Sequence, residues 1–204
     1  MSGQNGITVA VEGIDNLGKT TLVESLSERL AQRGFSVHTE PEFGADPLGS
    51  AIRDLVVRHW AHVPLDSQPL LIAAERRPRY RRSRELAKPC RVTLFDRHLL
   101  TARVYQSIAL GVDLGSMTHT LTILYGPEWV PPDVTLLLDA PIAVSIQRGG
   151  DDIHSRAFLE EARRRYLSAA LEAGTLVIDA SAPVARVTDM ALAAVLAALE
   201  SPRI

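Results

Sequence analysis

A short segment near the start of the chain carries glycines, a lysine and a hydroxyl at a fixed spacing. Gly13 and Gly18 enclose four residues, and Lys19 and Thr20 follow, which fits the pattern G-x-x-x-x-G-K-[ST]. In this pattern the glycines let backbone N–H groups surround a polyphosphate, the lysine reaches the β- and γ-phosphates, and the hydroxyl binds Mg²⁺. An apolar run precedes the segment and a helical pattern follows it, as this chemistry requires. The segment therefore predicts a site for ATP and Mg²⁺.

A second pair of residues capable of chemistry, Asp96 and Arg97, follows another apolar run. An aspartate at a strand end can hold Mg²⁺, and an arginine beside it can hold an anionic acceptor through two parallel hydrogen bonds. The structural alternatives are a helix cap for the aspartate and a surface ion pair for the arginine. Because ligands of open α/β sheets bind beyond the carboxyl ends of the strands, we expect both residues near the phosphate-binding segment.

Five short runs have the character of strands, and longer helical patterns separate them. In the first helical pattern Leu22, Leu26 and Leu30 recur at every fourth residue, and Gly34 ends it. Alternating strands and helices predict an α/β fold with a parallel sheet covered on both faces. We expect one domain spanning residues 1–204. The predicted strands are 7–11, 36–39, 92–95, 134–138 and 176–178.

Composition excludes several other classes. The 204 residues carry 22 basic and 24 acidic side chains, a formal charge of −2, so nucleic-acid binding is not expected. A single cysteine, Cys90, excludes a disulfide framework and a multi-cysteine metal site, and fits a reducing cytoplasm. The polar start lacks the features of a secretory signal, and the longest apolar run, 190–199, is shorter than the ~20 residues that span a bilayer. No membrane partner is expected.

Arginines are dense between residues 76 and 84. Such a cluster is typical of nucleic-acid-binding surfaces, but the acidic balance of the chain favours one functional arginine on an otherwise solvated helix face. Pro78 lies within this stretch, so the helix is predicted to kink or to end early.

Taken in order along the chain, several segments resemble the thymidylate kinase family of P-loop nucleoside monophosphate kinases. The combination spans nearly the whole chain and is more specific than the phosphate-binding segment alone. The family patterns are E-G-x-D-G-x-G-K-T-T at 12–21, R-E-P at 39–41, A-A-D-R at 73–76, D-R-[YH]-x-x-S-x-x-A-Y-Q at 96–106, P-D-x-x-x-x-L-D at 132–139 and I-D-A-S at 178–181.

The resemblance implies the three-layer P-loop NTPase sandwich, a homodimer and a short lid at about 148–157. It also implies ATP-dependent phosphorylation of a pyrimidine deoxynucleoside 5′-monophosphate, with dTMP as the default acceptor. The implied catalytic residues are Lys19, Arg97, Arg148 and Arg156, and the implied metal ligands are Thr20 and Asp96. The implied contacts to ATP are Gly13, Asn16, Gly18, Lys19, Thr20, Thr21, Arg148 and Ala180. The implied contacts to the acceptor are Asp15, Glu40, Arg53, Ile72, Arg76, Arg97, Ala102 and Tyr105.

Particular roles follow from the same resemblance. Asp15 would bind the 3′-hydroxyl of the sugar, and Tyr105 would pack where a 2′-hydroxyl would lie. Arg97 would hold the acceptor phosphate and Arg76 the edge of the base. Arg148 would lie against adenine.

The chain departs from the family at the base and in the phosphate loop. Ile72 stands where the family has a phenylalanine that stacks on the base, and Ala102 stands where a side chain often binds the thymine edge. Asn16 is neutral where some members carry a basic residue, so Arg148 and Arg156, with Arg163 behind them, are the candidates for stabilising the transition state. Because Ile72 and Ala102 replace the residues expected to contact thymine, an acceptor with a different or modified base stays open as an alternative.

Two other functions stay open as well. A nucleoside or small-metabolite kinase would need a carboxylate to accept the proton of a hydroxyl, and Glu40 is the candidate. A non-enzymatic nucleotide-dependent switch would explain the altered base pocket, but it would leave Asp96, Arg97 and the lid arginines without a role.

Overall fold

A computed structural model describes residues 6–86, 92–149 and 154–201. Its centre is a five-stranded parallel sheet in the order β2-β3-β1-β4-β5, surrounded by helices. The predicted α/β fold is confirmed, and each predicted strand lies within one residue of the observed one. The strands are β1 (Ile7–Glu12), β2 (Val37–Glu40), β3 (Val92–Asp96), β4 (Val134–Asp139) and β5 (Leu176–Asp179).

The helices follow the strands in the alternation that the sequence predicts. Within the described ranges, no helix combines the length and the apolar character that crossing a membrane requires. The helices are α1 (Lys19–Gln32), α2 (Pro47–His59), α3 (Gln68–Leu86), α4 (Leu99–Ala109), α5 (Leu114–Tyr125), α6 (Ile142–Arg148), α7 (Arg156–Ala173) and α8 (Val184–Glu200), with 3₁₀ turns at Trp60–His62 and Gly126–Glu128.

The two central strands are buried, which explains their nearly continuous apolar sequence. Val9, Ala10 and Val11 of β1 are fully buried, as are Val92 and Leu94 of β3. Because β1 and β3 are neighbours in parallel register, the loop after β1 and the residues after β3 emerge side by side. The two sequence motifs with the strongest chemical character therefore meet at one edge of the sheet.

Glu12 joins these two strand ends. Its carboxylate accepts the backbone N–H groups of His98 at 2.9 Å and of Leu100 at 3.2 Å, at the beginning of α4. The side chain is fully buried, and burial raises its pKa against the opposing effects of Thr101 and Arg97. Glu12 therefore caps α4 from another strand and fixes where that helix begins.

The structure overturns the predicted early end of the helix at Pro78 and the predicted solvated face of the arginine-rich segment. Helix α3 does not end at Pro78 but runs on to Leu86, because Arg79, Tyr80 and Ser83 beyond the proline are buried and anchor the last turns. Tyr80, for example, stacks on His98 with ring centroids 4.3 Å apart. The segment is also more than one functional arginine on a solvated face, because Arg79 is only 2% exposed.

Residues 150–153 of the predicted lid at 148–157 lie outside the described residues, and so does Cys90.

Candidate active site

The loop between β1 and α1 requires glycine at both ends. Gly13 has φ +138°, and a Cβ there would lie 2.5 Å from the carbonyl oxygen of Leu138. Gly18 has φ +84° and caps α1. Asn16 between them also adopts a left-handed conformation, which asparagine tolerates better than most residues. The loop thus has the backbone shape that surrounds phosphates at a helix N-terminus.

Lys19 lies inside this loop. Its side chain is buried, and its ammonium donates to the carbonyl oxygen of Ile14 at 2.7 Å. Burial and the nearby Arg97 lower the pKa of Lys19 to about 8, although Asp15 and Asp96 oppose them. A negatively charged triphosphate would favour the protonated form, so the lysine is poised to bind phosphate.

Thr20 and Asp96 meet as the sequence predicts. The hydroxyl of Thr20 donates to Oδ2 of Asp96 at 2.5 Å. Among the described residues, the buried Oδ1 of Asp96 has no hydrogen-bond partner, so one hard oxygen ligand is still available. Threonine and carboxylate oxygens suit Mg²⁺, which takes most of its other ligands from phosphates and water. No group of three or more His, Cys, Asp or Glu side chains suited to a metal exists in the described part of the chain.

Arg97 stands at the centre of the site. It has φ +66°, an uncommon conformation for a side-chain-bearing residue, and its backbone N–H donates to Val11 at 2.9 Å. Its guanidinium is 2% exposed, donates to the carbonyl of Gly13 at 2.8 Å and pairs with Asp15. Burial opposes its charge, but Tyr105, Glu42 and Asp15 together hold the pKa of Arg97 well above its usual value.

A cavity of about 1570 Å³ opens beside these groups. The structure brings together there most of the residues predicted to contact the acceptor or the metal. The predicted residues that line it are Asp15, Thr20, Arg53, Ile72, Arg76, Asp96, Ala102 and Tyr105.

An aromatic wall forms one side of the cavity. The hydroxyl of Tyr105 donates to Oδ1 of Asp15 at 3.0 Å, and the guanidinium carbon of Arg97 lies 5.2 Å from the tyrosine ring centroid. The rings of His154 and Phe158 stack 4.1 Å apart and meet Tyr105 edge-on. These rings supply apolar surface beside Asp15, where a sugar is expected.

Ile72 and Ala102 are both buried and both border the cavity, so the wall is aliphatic at these positions. Arg76 is buried beside them and donates to the carbonyl of His98 at 3.2 Å. Among the described residues, Nε of Arg76 has no hydrogen-bond partner, so this arginine keeps one donor for a ligand.

Among the cavity residues that sequence reasoning missed, two carry polar side chains beside the predicted site. Gln106 borders it and is 5% exposed, and within the described ranges its Oε1 has no partner. Glu42 also borders it, with a carboxylate oxygen 3.0 Å from Nε of Arg97. Gln106 lies in the segment 96–106 that resembles a family pattern, so the sequence could have indicated it. No local sequence pattern indicates Glu42.

Glu40 lies elsewhere. Its buried carboxylate contacts His38 at 2.8 Å and accepts from Ser83, and Arg79 is 3.6 Å away. Glu40 does not border the cavity. Its contacts with Ser83 and Arg79 instead join the end of β2 to α3.

The arginines near the predicted lid differ in their surroundings. Arg148 ends α6 and donates to the carbonyl of Ala180 at 3.1 Å, so the two residues expected near adenine are in contact. Arg163 pairs with both oxygens of Asp139, at 2.7 and 2.9 Å. The side chain of Arg156 is 69% exposed, pairs with Glu160 within α7 and does not line the cavity. Thr21 is exposed at the start of α1.

Phosphoryl transfer requires a triphosphate and an acceptor on either side of one cluster of charges. Arg97 donates to Gly13 of the phosphate loop and pairs with Asp15 and Glu42, which line the cavity, and Thr20 and Asp96 border the same cavity. The fold and this arrangement define a P-loop kinase.

Comparison with known proteins specifies the family. The sequence model of the thymidylate kinase family matches residues 11–191, so the chain belongs to that family of nucleoside monophosphate kinases. It is 32% identical over 192 residues to thymidylate kinase of Rhodopirellula baltica, covering 90% of this chain and 78% of the relative. It is 33% identical over 193 residues to thymidylate kinase of Cupriavidus metallidurans, covering 86% and 90%, and 30% identical over 195 residues to that of Ectopseudomonas mendocina, covering 89% and 91%.

Proposed function

We propose that this protein transfers the γ-phosphoryl group of ATP to a pyrimidine deoxynucleoside 5′-monophosphate, with dTMP as the default acceptor. The observation that carries the proposal is the set of contacts made by the buried Arg97, which donates to Gly13 of the phosphate loop and pairs with Asp15 and Glu42, two residues that line the cavity. An acceptor phosphate held there would face the γ-phosphate in line. A phosphate acceptor is already anionic, so the transfer needs no strong general base.

The residues act as follows. Lys19 and the backbone of residues 13–18 bind and orient the triphosphate, and Thr20 and Asp96 would hold Mg²⁺, which neutralises charge between the β- and γ-phosphates. Arg97 orients the acceptor phosphate. Asp15 binds the 3′-hydroxyl, and the ring of Tyr105 fills the space of a 2′-hydroxyl.

Base recognition rests on Arg76 and Gln106. Both side chains border the cavity, and each has a buried polar atom without a hydrogen-bond partner among the described residues. A buried group of this kind costs ~1–3 kcal/mol until it is satisfied, which favours a base with complementary polar edges. Their contact with a pyrimidine would offset the stacking lost at Ile72.

Comparison of dTMP with thymidine tests the role of Arg97, because the two differ only in the phosphate. We expect calorimetry to give a dTMP affinity at least tenfold above that of thymidine, and Arg97→Ala to remove most of the difference. General damage to the cavity would weaken the binding of both ligands, so the ratio of their affinities would not change. The matched control is Arg103→Ala, since Arg103 lies on α4 but pairs with Glu172 outside the cavity. An unchanged ratio in Arg97→Ala would refute the phosphate contact.

A hydroxyl acceptor is the second candidate, and the position of Glu42 favours it. This carboxylate borders the cavity, whereas Glu40, the base expected from the sequence, does not. Glu42 would then accept the proton of a nucleoside hydroxyl. Turnover of thymidine that exceeds turnover of dTMP, and that is lost in Glu42→Gln, would establish this function instead.

We also propose, from the family, that the protein is a cytoplasmic homodimer and that each subunit is a single domain. The lid at 148–157 would bring Arg148 or Arg156 to the phosphoryl group that is transferred. Light scattering of the purified protein tests the dimer. Single-turnover rates of Arg148→Ala and Arg156→Ala test which arginine stabilises the transition state.

A further inference from the structure

Glu42 places a negative charge where an acceptor phosphate is expected. Its Oε1 lies 3.0 Å from Nε of Arg97, at the wall of the cavity. Asp15 pairs with the same guanidinium on another nitrogen. Two carboxylates therefore already neutralise the charge of Arg97. A phosphate that approaches this arginine has to compete with them.

The backbone that carries Glu42 is fixed. Arg79 donates to the carbonyl oxygen of Pro41, and to that of Glu42 at 2.9 Å. The N–H of Gly44 donates to Glu75 at 2.9 Å. Arg79 and Glu75 are both buried on α3, so the turn cannot move away without separating buried polar groups. Displacement of Glu42 by a ligand therefore has to occur at its side chain.

That side chain can be displaced. It is 38% exposed, whereas Arg97 is 2% exposed. The Nε–H of Arg97 is close to Glu42 but makes no hydrogen bond of acceptable geometry among the described residues. A well-placed phosphate oxygen could accept from this donor and release the glutamate toward solvent.

We propose that Glu42 competes with the acceptor phosphate for Arg97 and so weakens the binding of any phosphate at this position. An isolated anion such as orthophosphate gains little at Arg97 because it must displace this carboxylate. A nucleotide also binds through its sugar and base, and those contacts offset the displacement. The competition thus weakens both ligands by a similar factor, which leaves a small anion mostly unbound while a nucleotide still binds through its other contacts. The inference rests on the proposed binding of an acceptor phosphate at Arg97.

Glu42→Gln tests the competition, because it removes the charge and keeps the shape. Calorimetry with orthophosphate, dTMP and thymidine should show the dissociation constants of the two phosphate-bearing ligands falling three- to tenfold, with that of thymidine unchanged. Orthophosphate should also become a stronger competitive inhibitor against dTMP. The matched control is Glu172→Gln, which removes one carboxylate from the pair with Arg103 on α4, outside the cavity, and should change none of these values.

The outcomes separate the inference from the function on which it rests. Unchanged phosphate affinities in Glu42→Gln would overturn the competition, and so would an equal gain in thymidine binding. Loss of thymidine phosphorylation in this variant would overturn it in favour of a general base. If the wild-type protein neither binds nor phosphorylates dTMP, the proposed acceptor is wrong. The orthophosphate measurement would still report whether Glu42 competes for Arg97.

Discussion

The hydroxyl of Thr20 lies 2.5 Å from Oδ2 of Asp96, although 76 positions separate the two residues in the sequence. One belongs to the first turn of α1 and the other ends β3. The parallel pairing of β1 with β3 brings them together. The proposed metal site therefore depends on the order of the strands in the sheet as well as on the phosphate loop.

Asp96→Asn should lower kcat with ATP and Mg²⁺ by about 10²-fold or more, because it removes the charge expected to orient the metal at the phosphates. The Mg²⁺ concentration that gives half-maximal rate should rise. Asp133→Asn is the control, since Asp133 precedes β4 at the opposite edge of the sheet, where it accepts the N–H of Thr8 at 2.6 Å. Near-normal kcat in Asp96→Asn would remove this carboxylate from the mechanism.

Binding of ATP should become weaker as the pH rises through about 8. Burial lowers the pKa of Lys19 to about 8 in the free protein, so above that pH the lysine is neutral and must take up a proton to bind the triphosphate. The kcat/KM for ATP, which reports the free enzyme, should decline by up to tenfold per pH unit there. Calorimetry at pH 8.5 in buffers of different ionisation enthalpy should detect proton uptake. Binding without proton uptake would contradict this assignment.

Acid stability should depend on His98. Burial, together with Arg76 and Arg79, lowers its pKa from 6.5 to about 3. Between these two values the unfolded chain binds a proton that the folded protein does not, so the free energy of unfolding decreases as the pH falls through this window.

Replacement by an aromatic residue that cannot titrate tests this dependence. His98→Phe keeps a ring against Tyr80 and should give a shallower loss of stability between pH 6.5 and 3, measured by urea unfolding. His119→Phe changes an exposed histidine and should keep the wild-type slope. Equal slopes in all three proteins would show that His98 is protonated in the folded state.

Arg79 should contribute strongly to stability. Its guanidinium lies 3.0 Å from Glu75, and both side chains are 2% exposed. Removing one partner of a buried pair costs about 3–5 kcal/mol, because the other charge remains buried. We therefore expect this loss for Arg79→Met, measured by urea unfolding. Arg82→Met is the control, because Arg82 also lies on α3 but pairs with Asp46 through side chains that are 55% and 42% exposed, and it should lose less than ~1 kcal/mol. Similar losses for both variants would contradict the buried-pair argument.

The base pocket can be tested by restoring the family residues. Ile72→Phe with Ala102→Thr should raise kcat/KM for dTMP by about tenfold, since stacking and a hydrogen bond could each contribute ~1 kcal/mol or more. If the natural acceptor has another base, the same change should lower activity on it through overpacking, by ~1–3 kcal/mol. A panel of pyrimidine monophosphates measures both effects. No gain on dTMP would show that these side chains do not contact the base.

Local patterns account for what the sequence predicts correctly. The strands and the phosphate loop could be predicted because their signals are local. These signals are the apolar runs of β1 and β3 and the spacing of Gly13, Gly18 and Lys19. Asp96 could be placed near the loop because parallel strands share an edge.

Tertiary contacts explain what the sequence did not predict. Pro78 should disrupt an isolated helix, but the buried side chains beyond it keep α3 continuous. Arg79 has the same character as its exposed neighbours in sequence, and only the turn after β2 shows why it is buried. Glu42 follows a recognised Glu-Pro pair, yet its position beside Arg97 depends on that same turn.

The anchoring of the turn after β2 by Arg79 also bears on the thermodynamics and kinetics of ligand capture. Since residues 41–44 are tied to α3 before any acceptor arrives, the chain loses their conformational entropy on folding and not on binding. A preorganised wall of this kind makes association limited by collision and desolvation, so differences in affinity among acceptors should lie mainly in their dissociation rates.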